Sequence, residues 1–178
     1  MSWLLNLVYV ALLVAVSPLL LYRRLSLGKY RDGWAEKFWG ELPARTSSRP
    51  CVWLHAVSVG EVLQVRPVLR QLAAARPDWE FVITTTTRTG LDVAKQEFPQ
   101  HTVCYFPLDF SWAVRRAIQR VRPSAIVLVE MELWPNFVRT ANRLGIPLAL
   151  INGRVSEKSF RGYRRVRPLL QSLLQRFP

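Results

Sequence analysis

The sequence predicts an α/β fold, a parallel sheet with helices on both faces, preceded by one membrane-spanning helix. Two observations predict it. Residues 3–22 run for 20 positions without a charge. From residue 50 onward, short β-type runs alternate with stretches of helical period, the pattern of a doubly covered parallel sheet. At 178 residues, half hydrophobic and with seven tryptophans, the chain has material for one soluble domain of ordinary size and a real core.

The first element is WLLNLVYVALLVAVSPLLLY, from Trp3 to Tyr22, mildly interrupted by Asn6, Ser17 and Pro18. At helical rise it reaches about the ~30 Å of a hydrocarbon core. A secretory signal carries its basic residues before the apolar stretch; here Arg23, Arg24, Lys29 and Arg31 follow it. The positive-inside bias then places the rest of the chain in the cytoplasm. Next comes GKYRDGWAEKFWGELP, where Tyr30, Trp34, Phe38 and Trp39 mingle with Arg31, Asp32, Glu36 and Lys37. Two readings stand: a segment at the level of the lipid headgroups, or a short amphipathic helix packed on the soluble domain.

After ARTSSRP the alternation begins. CVWLHAV (51–57) is a strand, and Glu61 to Ala75 places Val62, Val65, Val68, Leu69 and Leu72 on one helical face. EFVITTT (80–86) precedes a helix from about Leu91 to Glu97. TVCYF (102–106) precedes Ser111 to Val121, with Ser111 as the expected N-cap. AIVLVE (125–130) precedes Asn136 to Leu144, closed by Gly145, and LALIN (148–152) opens a last unit. Five strands each followed by helical sequence give a Rossmann-like sheet, whose ligands sit beyond the carboxyl ends of the strands.

Several classes are excluded or disfavoured. No G-x-G-x-x-G follows the first strand, and no G-x-x-x-x-G-K-[ST] or H-E-x-x-H occurs, so no dinucleotide, P-loop or zinc-protease chemistry is expected and no metal. Cys51 and Cys104 lie in apolar strand-like runs and read as buried free thiols of a reducing compartment. The net charge is +13, and every basic residue is arginine except Lys29, Lys37, Lys95 and Lys158. Arginine pairs with phosphate in a bidentate way, so the partner is anionic: phospholipid headgroups, a phosphorylated lipid or nucleic acid. Nucleic acid is disfavoured, since neither zinc-finger spacing nor a basic recognition helix is present.

The strand-end loops supply the candidates. In Ser58-Val59-Gly60-Glu61 the chain turns beside a glycine and puts a carboxylate in the first turn of a helix, where the helix dipole favours the charged form. Glu61 is then a general base aimed into the crevice, or an ordinary helix-start acid. Thr86, Thr87, Arg88, Thr89 and Gly90 suit a sugar or phosphate, or are β-branched residues at a strand end. Glu130 and Glu132 flank Met131 ahead of Trp134, Pro135 and Asn136, either as site acids or as helix-start acids. Arg154 after the last strand is a phosphate or carboxylate ligand or a solvated arginine, and His55 reads as a core histidine bonded to backbone.

HAVSVGEV, TTTTRTG, the PLD after the third strand, VEMELWPN and INGRVS, in this order behind an apolar anchor, resemble the N-terminal domain of the 3-deoxy-D-manno-octulosonic acid (Kdo) transferases. The resemblance covers nearly the whole chain. It implies the N-terminal half of a GT-B glycosyltransferase that moves Kdo from CMP-Kdo to a lipid A precursor at the cytoplasmic face of the inner membrane, with inversion and without a metal or other cofactor. It implies that Glu61 is the base. Ser58, Gly60, Arg88, Glu130, Glu132, Asn136, Arg154 and Ser156 are then the residues expected to shape or bind the acceptor site. Arg88, Arg154, Lys158, Arg161, Arg164, Arg165 and Arg167 are expected near acceptor phosphates or anionic headgroups. The expected divisions are an anchor (1–25), an interfacial segment and linker (26–49), an acceptor-binding domain (50–157) and a basic helical segment (158–178). The family continues into a second domain that holds CMP-Kdo, so turnover by this chain alone is not expected; a fragment, a split gene with a separate C-terminal polypeptide and a truncated reading frame stay open. A non-catalytic membrane module that binds anionic lipid through its arginines is the alternative.

Overall fold

The computed structural model describes residues 2–27, 32–155 and 157–177. Helices α1 (Ser2–Leu27) and α2 (Trp34–Trp39) precede β1 (Cys51–His55), α3 (Val59–Ala75), β2 (Glu80–Thr85) and α4 (Arg88–Glu97). Then come β3 (Thr102–Tyr105), α5 (Ser111–Val121), β4 (Ala125–Val129), α6 (Pro135–Arg143), β5 (Leu148–Ile151), α7 (Glu157–Arg165) and α8 (Arg167–Leu174). The strands form one sheet in the order β3-β2-β1-β4-β5, and every pairing is parallel. The expected α/β, Rossmann-like architecture is therefore present.

The two cores follow from the period-two alternation of strand side chains. On β1, Cys51 and Trp53 enter one core with Phe106, Val114, Ile118, Phe137 and Val138, whereas Val52 and Leu54 enter the other with Val62, Val65, Leu69, Ile83 and Ala94. So α5 and α6 cover one face and α3 and α4 the other. Chain order reverses between β1 and β4, where His55 stands beside Leu128. A crevice opens at such a switch point because the loops leaving the two strands turn to opposite faces.

Several element limits move, each for a local reason. Helix α4 starts at Arg88 rather than Leu91, because the Thr87 hydroxyl accepts the Gly90 N–H at 3.0 Å. Ser111 is the first helical residue of α5 and not its cap; Phe110 takes the cap position and offers no side-chain oxygen. The missing acceptor comes from α1, where Asn6 Oδ1 accepts the Ser111 N–H at 3.0 Å and Asn6 Nδ2 donates to Ser111 Oγ at 2.7 Å. Helix α8 packs back on the sheet: Leu173 is buried in the first core and Arg176 donates to Asn142 Oδ1 at 2.8 Å. The compact unit therefore runs past residue 157 to the end of the described chain.

Helix α1 is long and apolar enough to cross a membrane. One stripe of it rests on the loops at the carboxyl ends of the strands, through Asn6 and through Tyr9, whose hydroxyl donates to Asp109 Oδ2 at 2.9 Å. The rest of its surface exposes Trp3, Leu4, Leu7, Leu12, Val14, Leu21 and Leu25. Helix α2 is the short helix packed on the domain: Glu36 accepts the Tyr105 N–H at 2.8 Å and the Trp112 indole donates to the Phe38 carbonyl at 3.0 Å. Around it Phe38, Trp39, Phe110 and Trp112 form a continuous aromatic cluster reaching Tyr9 of α1.

Candidate active site

Helix α3 begins with a capping box, the reciprocal pairing of an N-cap hydroxyl with an acid three residues on. Ser58 Oγ accepts the Glu61 N–H at 3.4 Å and its hydroxyl donates to Glu61 Oε1 at 2.8 Å. Glu61 Oε2 accepts the Val57 N–H at 2.8 Å. Only 7% of Glu61 is exposed. Glu61 thus acts as a helix-start acid that caps α3, and each oxygen keeps a lone pair beyond the bond described. Gly60 is exposed beside it, and a Cβ there would meet nothing nearer than Ser58 Oγ at 3.9 Å. The fold itself does not require glycine at that position.

The loop is held from the neighbouring strand. The hydroxyls of Thr85, Thr86 and Thr87 gather on the Val57 carbonyl at 2.9, 3.3 and 3.4 Å. The threonine run expected to meet a sugar or phosphate directly therefore uses its hydroxyl hydrogens on protein. His55, fully buried, lies beneath: its Nδ1–H donates to the Thr84 carbonyl at 3.1 Å, and its ring stacks on Phe106 with centroids 3.6 Å apart. Burial pushes its pKa down to about 3, so it stays neutral, the core histidine expected.

Across the switch point, Glu130 leaves β4 with a left-handed φ of 58°, its N–H donating to the Ile151 carbonyl at 2.9 Å. A non-glycine residue seldom adopts that conformation, and such strain collects at functional sites. Two residues on, Glu132 has its pKa pushed up to about 7, first by burial, then by the charge of Glu61, and also by that of Glu130. The Trp134 indole, buried and without a direct hydrogen bond, lies near enough to offset part of that rise. Glu61, in the first turn of α3, and Glu132, in the loop after β4, stand close enough for the charge of one to raise the pKa of the other. At neutral pH Glu132 is divided between an acid that donates a hydrogen bond and a carboxylate that accepts one.

The remaining candidates divide. Arg88, the first residue of α4, and Arg154, in the loop after β5, are both exposed; Arg88 pairs with Asp32 and Asp92, and Arg154 Nε donates to Asn152 Oδ1 at 3.3 Å. Asn136 does not face the crevice as an acceptor ligand: it is fully buried and its Nδ2 donates to the Asp109 carbonyl at 2.6 Å. Ser156 and the side chains of Lys158, Arg161 and Arg165 lie outside the described residues, while Arg164 and Arg167 are exposed. Among the described residues no group of three or more His, Cys, Asp or Glu is arranged to hold a metal ion.

The sequence placed Asp109 in the PLD motif but gave it no role. Its carboxylate accepts the N–H groups of Asn136 at 2.9 Å and Phe137 at 2.8 Å, so it caps α6 from a distant loop. Burial pushes its pKa up to about 6 despite those bonds. The signal available was the Trp134-Pro135 start of α6, a helix N-terminus with no capping side chain of its own.

Fold and site together define a Rossmann-like α/β domain whose switch-point crevice is lined by acids from two loops, with an apolar helix laid beside them. Over residues 32–178 it matches the family described as 3-Deoxy-D-manno-octulosonic-acid transferase (kdotransferase), and the chain belongs to that family. It is 37% identical over 166 residues to the 3-deoxy-D-manno-octulosonic acid transferase of Chlamydia pneumoniae, covering 92% of this chain and 38% of that one. It is 37% identical to the probable mitochondrial 3-deoxy-D-manno-octulosonic acid transferase of Arabidopsis thaliana, over 95% and 39% of the two chains. With the Haemophilus influenzae transferase identity is 31%, over 93% and 40%. The chain thus spans about two fifths of the length of these relatives. Among solved structures, a DszA carbon methyltransferase aligns with a TM-score of 0.44 at 15% identity, over 91% of this chain and 38% of that one.

Proposed function

We propose that this chain is the acceptor-holding part of a Kdo transferase of lipopolysaccharide biosynthesis, which passes Kdo from CMP-Kdo to a lipid A precursor. The observation that carries the reading is the meeting of Glu61 with Glu132 at the switch point of a chain in this family. Glu61, held by Val57 and Ser58, takes the proton from the acceptor hydroxyl as that oxygen attacks the anomeric carbon of Kdo. The bond from that carbon to the CMP phosphate breaks, CMP departs, and attack from the opposite face inverts the centre. Glu132 orders the acceptor or the base. Ser58 and Gly60 shape the loop, and Arg88 and Arg154 meet the acceptor's phosphates from the two flanks. CMP-Kdo is held mainly by the part of such an enzyme that follows the matched region, on the same polypeptide or a separate one, and no metal or other cofactor takes part.

The membrane setting belongs to the same proposal. The apolar surface of α1 is too extensive to face water, and Arg23 and Arg24 follow the apolar stretch, favouring the cytoplasmic side of the inner membrane. The aromatic cluster around Phe38 and Trp112 suits the headgroup level.

The test joins this chain to the remaining three fifths of the Haemophilus influenzae relative and follows Kdo transfer to the lipid A precursor. Glu61→Gln is expected to lower turnover by about 100-fold or more while acceptor binding stays nearly unchanged. Retention of most of the activity removes Glu61 from its role. For the chain alone in detergent micelles, binding to the precursor should exceed binding to generic anionic lipid at matched salt; equal binding favours a non-catalytic lipid module.

A further inference from the structure

Between α1 and the strand-end loops runs an apolar groove. One cavity of about 230 Å³ is lined by Leu13 and Leu20 of α1 and by Thr86, Phe106, Leu108 and Trp134 of the domain. A second, of about 270 Å³, continues along α1 past Tyr9, Leu12 and Val16, and shares Leu13, Leu20, Leu108 and Trp134 with the first. Most of this lining is aliphatic and aromatic, which favours apolar ligands, with the charged Asp32 and Lys37 at one end.

What the groove connects identifies its occupant. One side is α1, whose outer surface is the most apolar of the molecule. The other side ends at Thr86, which holds the Glu61 loop through Val57, and at Trp134, beside Glu132. Lys37 and Asp32 stand on its wall, and Arg88 pairs with that Asp32. A ligand that fits both ends has a hydrocarbon tail drawn from the membrane and a phosphorylated polar head that reaches the carboxylates. A headgroup alone leaves the groove empty, and a bulk phospholipid leaves the carboxylates without a sugar hydroxyl.

We infer that this groove seats one acyl chain of the sugar-lipid acceptor, with α1 serving as one wall of the acceptor site. This deepens the proposed function and rests on it. Seating a chain beside Trp134 fixes how far the sugar stands from Glu61, so the anchor helix sets the acceptor's register as well as the domain's location.

The experiment measures binding of two probes to the chain in detergent micelles: the acylated lipid A precursor and its fully deacylated sugar phosphate. Trp134 emission, isolated by difference against Trp134→Phe, is the readout. The acylated probe should bind at least about tenfold more tightly. Filling the groove with Leu13→Phe and Leu20→Phe should remove most of that preference and leave the deacylated probe unchanged. Leu4→Phe with Leu7→Phe, the same added bulk on the exposed face, should keep it. A preference that survives filling overturns the groove and leaves the acceptor reading standing. If neither probe binds the unaltered chain, the acceptor reading fails first. Because filling the groove also changes how α1 docks, a precursor with a photoreactive group at the end of an acyl chain gives an independent check. Adducts at residues 13–20 or at Trp134 support the groove, and adducts confined to residues 3–8 overturn it.

Discussion

At the amino ends of the strands the polar groups that close the fold are arginines donating to backbone carbonyls; at the carboxyl ends they are acids accepting from backbone N–H groups. Arg45 donates to Glu80 at 2.6 Å, to Arg49 O at 2.6 Å and to Val121 O and Arg122 O at 3.1 and 3.2 Å. Arg49 donates to Asp78 O at 2.5 Å and Pro77 O at 2.8 Å, and Arg122 returns to Arg45 O and Ser47 O. At the other end Glu36, Glu61 and Asp109 accept N–H groups from Tyr105, Val57, Asn136 and Phe137. A guanidinium that has placed most of its donors has little left for a ligand, whereas a carboxylate such as Glu61, with one bond per oxygen, retains lone pairs. The same kind of device, a side chain tying loops together, is finished at one end and open to chemistry at the other.

The largest expected effect tests the closed end. Arg45→Ala should cost about 3 kcal/mol, because it leaves several carbonyls and Glu80 without their partner, seen as a lower denaturant midpoint at unchanged m-value. Transfer per folded molecule should hold; a loss as large as that of Glu61→Gln would end the division between the two ends. Stability at this end should also fall in acid. The Arg45 hydrogen bond holds Glu80 below its ordinary value of 4.5, so its contribution is present above that pH and fades as pH falls below it.

Asp109→Ala comes next, at about 2 kcal/mol, since α6 loses its cap and the Tyr9 hydroxyl its acceptor. Hydrogen exchange should quicken at Asn136 and Phe137 before it does on β1. The smallest effect carries the opposite sign. Glu132 has a folded pKa of about 7 against an ordinary 4.5, so the folded state holds the proton more tightly and stability declines as pH rises between those values. Glu132→Gln should therefore stabilise the chain by about 1 kcal/mol at pH 8, after discount for its partial exposure, and hardly at all at pH 4. Thermal melting at the two pH values reads this directly. A destabilised variant at pH 8 would mean that the carboxylate closes the fold, as Arg45 does.

The strands were legible in the sequence because their signal is local, alternation within five or six residues; the Ser58-to-Glu61 capping box was not read there, although a hydroxyl three residues before an acid is its local signature. That Glu61 and Glu132 share a crevice depends on the strand order, which no local signal carries: a sheet of this topology brings the segments after β1 and β4 together. Asp109 and Asn6 were opaque for one shared reason. Each completes a helix start elsewhere, Asp109 across 27 residues and Asn6 across 105, and nothing near either residue announces the partner. Asn136 shows the opposite case: its burial and its bond to the Asp109 carbonyl are tertiary facts that its position in a strand-end loop does not announce.

Asn6 carries a practical consequence. Trimming α1 away to obtain a water-soluble version would delete the acceptor for the first amide of α5 and the Tyr9 partner of Asp109 in the same cut. What remains would be a domain with one uncapped helix start beside its crevice and a capping carboxylate, Asp109, that has lost one of its donors, and weak activity in such a preparation would reflect lost scaffolding as much as lost membrane.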